Sequence, residues 1–292
     1  MNRIKKSAGE IALLYQRELN TNYPVQEIKA ILYQLFYHIL GWSRSTVHLN
    51  KGVILQEEAD RRFMNALGRL IEGEPIQYII GQTEFCGLRL AVQPGVLIPR
   101  PETEELAVMI TRDNLPYRDE HISVLDIGTG SGCIALAMKR AFPAASVTGI
   151  DKSPDAIAVA RKNAIDNNLD VTFLEADILN PTPFSRSGLF HVIVSNPPYI
   201  PQQERAAMSR HVVDHEPENA LFVPDDNPLI FYEAIALYAR NNLTPDGLIY
   251  VEIHENYSED TMKLFRSHRF SHVTLYHDYF GKKRFLKISA PF

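Results

Sequence analysis

Asn196-Pro197-Pro198-Tyr199 follows the apolar run His191-Val192-Ile193-Val194, and its residue types suit one kind of chemistry. Two successive prolines hold φ near about −65° and donate no backbone hydrogen bonds, so the stretch is stiff and its carbonyl oxygens stay free. An amide or aromatic NH₂ group carries two donors. The side-chain oxygen of Asn196 and the carbonyl of Pro197 can accept one each, which holds the nitrogen in plane, and the Tyr199 ring can stack on the planar target. A nitrogen held this way can displace a sulfonium leaving group in line, a step in which positioning supplies much of the rate. Asn196, Pro197 and Tyr199 are therefore candidate catalytic residues, and Asn196, Pro197, Pro198 and Tyr199 form a candidate substrate site. Asn-Pro also occurs in plain turns, so the meaning of the tetrapeptide depends on what precedes it.

What precedes it is a nucleoside pattern. Val124-Leu125-Asp126-Ile127 is an apolar strand that runs into Gly128-Thr129-Gly130-Ser131-Gly132 and then into a helix. Glycines there allow a sharp turn and a close backbone approach to a ligand. Nineteen residues past Gly132 a second apolar strand ends in Asp151, whose carboxylate can accept from both hydroxyls of a ribose. A third strand ends near Glu175-Ala176-Asp177, within reach of an adenine amino group. A ligand-free turn would use similar glycines, but a glycine turn followed by acids at the next two strand ends points to a cofactor site. Its candidate members are Asp126, Gly128, Thr129, Gly130, Ser131, Gly132, Asp151 and Asp177, with Asn196 bordering it. Nicotinamide cofactors use a similar first half. The Asn-Pro-Pro-Tyr loop on the fourth strand favours a methyl donor, S-adenosylmethionine, with S-adenosylhomocysteine as product.

These loops need a sheet to hold them. Strands at 122–127, 146–151, 171–175, 190–195 and 247–253 alternate with helices at 132–142, 154–168, 228–242 and 257–268, which predicts a parallel α/β sheet. Late strands near 272–277 and 283–288 form a closing antiparallel pair. The fold class is thus α/β, a Rossmann-like, mostly parallel seven-stranded sheet. Ahead of it, three-and-four apolar spacing at 4–18, 24–40 and 53–72 predicts a bundle of three or four helices. Short runs at Gln77–Ile80 and Phe85–Val92 suggest a β-hairpin or extended connector, and Arg100-Pro101-Glu102-Thr103-Glu104 opens a helix reaching about Leu115. The expected domains are 1–74, 75–98 and 99–292.

A chain of 292 residues with 45% hydrophobic and 22% charged residues can bury a sizeable core. Its net charge of −5 argues against a broad basic face gripping phosphate backbone. The balance is uneven: residues 1–80 hold ten Lys or Arg against eight Asp or Glu, and the rest 20 against 27. Cys86 and Cys133 stand far apart without Cys/His clustering, so neither a disulfide framework nor a metal site is expected. No apolar run is long enough to span a bilayer. The charged N-terminus leads into a segment broken by Glu10, Gln16, Arg17 and Glu18 rather than a signal peptide. A cytoplasmic protein is expected.

Taken with Gly73-Glu74-Pro75-Ile76-Gln77-Tyr78-Ile79-Ile80-Gly81, Ile98-Pro99-Arg100-Pro101-Glu102-Thr103-Glu104 and Glu216-Pro217-Glu218-Asn219-Ala220-Leu221, these motifs resemble the HemK/PrmC family of peptide chain release factor glutamine methyltransferases across nearly the whole chain. Asn-Pro-Pro-Tyr alone is shared with DNA adenine methyltransferases; the Ile-Pro-Arg-Pro-Glu-Thr-Glu run is far more specific. The resemblance implies a class I S-adenosylmethionine-dependent methyltransferase preceded by an all-helical docking domain. It implies methylation of the glutamine side-chain amide in the Gly-Gly-Gln motif of bacterial class I release factors, with no stable nucleic-acid or membrane partner. By position, Gly128 to Gly132 and Asp151 would hold the cofactor. Where some members place an aromatic residue against the adenine, this chain has Ile178, an aliphatic side chain that can cover the ring. Phe85 and Arg100 are further candidates for closing over the cofactor. Glu252 and His254, at the end of the fifth strand, are expected to be structural. A nucleic-acid amino methyltransferase that flips a base into the same slot, or a cofactor-bound assembly factor, are the alternative readings.

Overall fold

The computed structural model describes residues 5–180 and 189–290, so Ile4, the expected start of the first helix, lies outside the described residues. The chain divides into two compact units. One runs to Gly81 and includes Arg210–His215; the other comprises Gln82–Ser209 and Glu216 onward.

The first unit contains helices α1 (Ala8–Leu19), α2 (Val25–Leu40), α3 (Arg44–Leu49), α4 (Glu57–Ile71) and α5 (Ile76–Ile80). Ser7 opens α1 with a capping box. Its hydroxyl accepts from the Glu10 backbone and the Glu10 carboxylate accepts from the Ser7 backbone, satisfying two helix-end donors at once. Ile11, Tyr15, Ile28, Leu35 and Phe63 meet in the core, and the buried Tyr15 hydroxyl donates to Phe63 O at 2.6 Å, tying α1 to α4. The stretch at 77–80 is a helical turn, not the extended segment its branched and aromatic residues suggest. Gly81 closes it at φ 78°, donating to Gln77 O, while Ile76 and Tyr78 are buried. Tertiary burial decides short apolar runs whose local propensity is ambiguous.

The second unit begins with the hairpin β1 (Gln82–Phe85) and β2 (Leu88–Ala91), then α6 (Pro101–Asp113). There follow β3 (Ser123–Ile127), α7 (Cys133–Ala141), β4 (Ser146–Asp151), α8 (Pro154–Asp166), β5 (Thr172–Glu175) and β6 (Phe190–Ser195). Between the strands of a short parallel pair, β7 (Ile200–Pro201) and β8 (Phe222–Val223), the chain forms the small helix α9 (Arg210–Val213), which belongs to the first unit, and then α10 (Glu218–Leu221) in the second. The chain continues through α11 (Ile230–Asn242), β9 (Leu243–Glu252), α12 (Ser258–Ser267), β10 (Val273–His277) and β11 (Lys283–Ser289).

Seven strands form one sheet in the order β10-β11-β9-β6-β3-β4-β5. β3 pairs in parallel with β4 and β6, β4 with β5, and β6 with β9, whereas β11 runs antiparallel to both neighbours. Successive side chains point to opposite faces. Val124, Val192, Val194 and Tyr250 join the core with α6, α7 and α8, and Leu125, Ile193, Ile249 and Val251 join the core with α11 and α12. From β3 the chain winds outward to β5 and then returns to the other side of β3 as β6. The carboxyl ends of β3 and β6 therefore flank the topological switch point, where such sheets bind ligands.

Candidate active site

The glycine loop leaves β3 with Gly128, Gly130 and Gly132 all at positive φ, 70°, 54° and 82°. At Gly128 and Gly130 a Cβ would meet nothing within 4 Å, so this stretch offers bare backbone to the cleft. Asp151, at the end of β4, accepts from Gly130 N through Oδ2 and from Ser153 N through Oδ1, both at 2.9 Å. Burial pushes its carboxyl above the usual range. Two of its lone-pair directions are used within the protein and the others remain for a ligand.

Asp126 behaves differently from the sequence expectation. It is fully buried beneath the loop and is not on the cleft wall. Its Oδ2 accepts from Thr129 Oγ1 at 2.6 Å and from Ala135 N at 3.1 Å, so it shapes the loop from below. Burial pushes its carboxyl up to about 7. Gly149, in the middle of β4, was not singled out from the sequence, yet a Cβ there would sit 2.7 Å from both the Phe173 ring and Thr129 Oγ1. A glycine inside a strand is the signal that would have found it.

One cleft of about 1020 Å³, open to solvent, joins these pieces. Thr129, Gly130 and Ser131 line it together with Asp151, Asp177, Ile178, Arg100, Asn196, Pro197 and Pro198. Asp177 turns its carboxylate onto its own loop, accepting from Leu179 N at 2.9 Å. Phe85 is elsewhere: it is buried in the core with Leu88 and Leu106 and does not line the cleft. Arg100 donates to Glu216 Oε1 at 2.6 Å.

The Asn-Pro-Pro-Tyr loop is clamped at both ends. Ser195 Oγ donates to Ile127 O at 2.7 Å, joining the ends of β6 and β3. The Tyr199 hydroxyl donates to Glu252 Oε1 at 3.0 Å, and Tyr199 lies behind the cleft wall rather than on it. Between them Asn196 Nδ2 donates to Thr103 Oγ1 at 2.9 Å, and Thr103 Oγ1 donates to Glu252 Oε2 at 2.8 Å. Glu252 is 1% exposed, and burial pushes its carboxyl up to about 7. An acid ending the apolar run Leu248-Ile249-Tyr250-Val251 is a visible signal, but only the fold reveals its partners. His254 turns away from the cleft: Nε2 lies 3.1 Å from Glu204 Oε2, and Nδ1 accepts from Asn256 N.

A parallel sheet with one inserted antiparallel strand, a glycine loop and strand-end acid at the switch point, and an Asn-Pro-Pro loop opposite them define a class I methyltransferase. The methyltransferase small domain family matches residues 108–220, and the PrmC N-terminal domain family matches residues 15–81. The chain is 41% identical to the release factor glutamine methyltransferase of Bacteroides thetaiotaomicron, over 95% of this chain and 98% of that one. It is 37% identical to the enzyme of the same name from Flavobacterium psychrophilum, over 94% and 96% respectively. The chain belongs to the release factor glutamine methyltransferase family. Among solved structures, the fold is shared with a 16S rRNA N2 G1207 methyltransferase of T. thermophilus in complex with AdoMet and guanosine. That pair has a TM-score of 0.53 and 18% identity, covering 72% of this chain and 49% of that one. The ribosomal protein L11 methylase of Lactobacillus delbrueckii subsp. bulgaricus gives a TM-score of 0.50 at 20% identity, covering 69% and 84%.

Proposed function

We propose that this protein transfers a methyl group from S-adenosylmethionine to the side-chain amide nitrogen of the glutamine in the Gly-Gly-Gln motif of class I release factors, in the cytoplasm. The observation that carries this reading is the Asn196 amide held at the switch point with its NH₂ on Thr103, while among the described residues no donor engages its Oδ1. The cleft suits the donor. The bare backbone at Gly128 and Gly130 leaves room for a close approach, Asp151 keeps acceptor capacity for a ribose, and Asp177 with Ile178 bounds the far end. Bound there, S-adenosylmethionine would supply a methyl group on a sulfonium.

The residues of the chain then have defined tasks. Asn196 Oδ1 and the Pro197 carbonyl accept the two amide hydrogens of the target, fixing its nitrogen in plane. They also stabilise the positive charge that develops as the N–C bond forms and the C–S bond breaks. Pro198, on the cleft wall, confines the plane of the amide, Tyr199 holds the loop from behind through Glu252, and the extra proton leaves to water after transfer. The helical unit serves to dock the protein substrate. The test uses purified enzyme, labelled methyl donor and a release factor. Label should enter the Gly-Gly-Gln glutamine and vanish when that glutamine is replaced. Labelling that persists, or that enters RNA or DNA instead, would remove this substrate.

A further inference from the structure

We infer that Thr103 and Glu252 are positioning residues that set which way round the Asn196 amide sits, so that its oxygen rather than its NH₂ faces the substrate. This deepens the reading of the Asn-Pro-Pro-Tyr loop given above and rests on it.

An amide side chain turned end for end occupies nearly the same space, so shape alone leaves Asn196 with two orientations. Only one of them works: a target NH₂ needs acceptors, and an Asn196 NH₂ aimed at it would set donor against donor. The direction is decided by the end of the chain of hydrogen bonds. Glu252 as a carboxylate has no proton to give. Thr103 lies 2.8 Å from Glu252 Oε2 and must donate there. Its hydroxyl proton thus spent, Thr103 Oγ1 can only accept from Asn196, 2.9 Å away, and the amide group that donates is the NH₂. Tyr199, donating to Glu252 Oε1, fills the other carboxylate oxygen. The Tyr232 hydroxyl, donating to the Glu252 backbone oxygen at 3.0 Å, holds the end of β9 in place.

The arrangement is reversible in principle. A protonated Glu252 carboxyl can donate to Thr103, which frees the threonine proton for Asn196 and turns the amide over. Burial raises Glu252, and Glu102 on α6 adds to this, while Thr103, Tyr199 and Arg284 on β11 act against it, leaving the carboxyl near 7. Arg284 is itself paired with Asp278 at 3.2 Å. The working orientation therefore requires the ionised form, and Glu252→Gln imitates the protonated one at every pH because its NH₂ can donate to Thr103.

The test compares wild type with Thr103→Val, Thr103→Ser and Glu252→Gln. It measures kcat and KM on a Gly-Gly-Gln peptide or the intact release factor, the Kd of the donor by calorimetry, and the side-chain NH₂ resonances of Asn196 by nitrogen-edited NMR. Thr103→Val keeps the shape and removes the hydroxyl. It should lower kcat by about 100-fold, the scale of loss for a misaligned reacting group, while donor Kd stays unchanged. Thr103→Ser should recover most of that loss. Wild type should lose rate on acidification through neutrality, and Glu252→Gln should lower kcat and abolish that acid limb. The Asn196 NH₂ pair should exchange slowly in wild type and faster in Thr103→Val, a readout that stands even if the wild-type enzyme methylates no release factor. Wild-type kcat in Thr103→Val, an equal loss in Thr103→Ser, an acid limb that survives in Glu252→Gln, or Asn196 resonances that ignore Thr103→Val would each overturn the inference.

Discussion

Arg100 Nη2 lies 2.6 Å from Glu216 Oε1, an ion pair whose acidic partner has a side chain only 1% exposed. Glu216 also accepts from Ile98 N at 3.2 Å, so one carboxylate ties the segment before α6 to the segment before α10 on the rim of the cleft. Arg100→Ala would leave that carboxylate buried with a single backbone donor. Losing one partner of a buried pair costs about 3 kcal/mol, which chemical denaturation of the variant should show. A variant as stable as wild type would mean the pair only bounds the cleft.

Stability should fall as pH rises from about 5 to about 7, through the raised carboxyls of Glu252 and Asp126. Burial lifts each to about 7 in the folded protein from ordinary values of 4.5 and 3.8. In that window the native state holds protons that the unfolded chain has released, so their contribution is lost with increasing pH. Melting temperature followed against pH should show a shallower decline in Glu252→Gln than in wild type. An identical slope in the variant would place the origin elsewhere. Catalysis responds to Glu252 in the opposite direction, because the rate requires its ionised form.

Asp151→Asn should weaken donor binding while leaving kcat at saturating donor nearly intact. Asp151 supports Gly130 N and Ser153 N with its two oxygens, and an asparagine has one acceptor for three claimants. Losing a hydrogen bond to a charged group costs about 1.5–3 kcal/mol, which calorimetry with S-adenosylhomocysteine would report as an increase in Kd of about tenfold or more. Unchanged Kd would separate Asp151 from the cofactor.

Gly149→Ala should damage the same loop from below. The added methyl would meet Phe173 and Thr129 Oγ1 at 2.7 Å, and Thr129 is the residue whose hydroxyl engages Asp126. Overpacking of this kind costs about 1–3 kcal/mol, and the displaced Thr129 should lower donor affinity as well. A folded variant with native stability and donor Kd would show that Phe173 yields without disturbing the loop.

Much of the site was legible in the chain because its chemistry is carried by contiguous residues. A glycine turn after an apolar strand, an acid at the next strand end and two prolines after an asparagine each express their meaning within a few positions. The alternation of strand and helix from 123 onward marks the parallel sheet for the same reason: periodic burial is a local property of sequence. Where local preference is ambiguous, the chain alone misleads. Ile76–Ile80 carries strand-like residues and folds as a helical turn because its neighbours bury Ile76 and Tyr78.

The sequence by itself determined which groups could bind a nucleoside and hold a planar nitrogen. Only the tertiary structure decided how those groups are oriented. Asn196, Thr103 and Glu252 are separated by 93 and 149 positions along their two hydrogen bonds, and a contact between such distant residues leaves no periodicity or spacing to detect. The same holds for Asp126, buried beneath the loop instead of facing the cleft, and for Phe85, which packs into the core. Side-chain direction depends on which strands lie next to one another, and the order of strands in the sheet is set by packing of the whole chain.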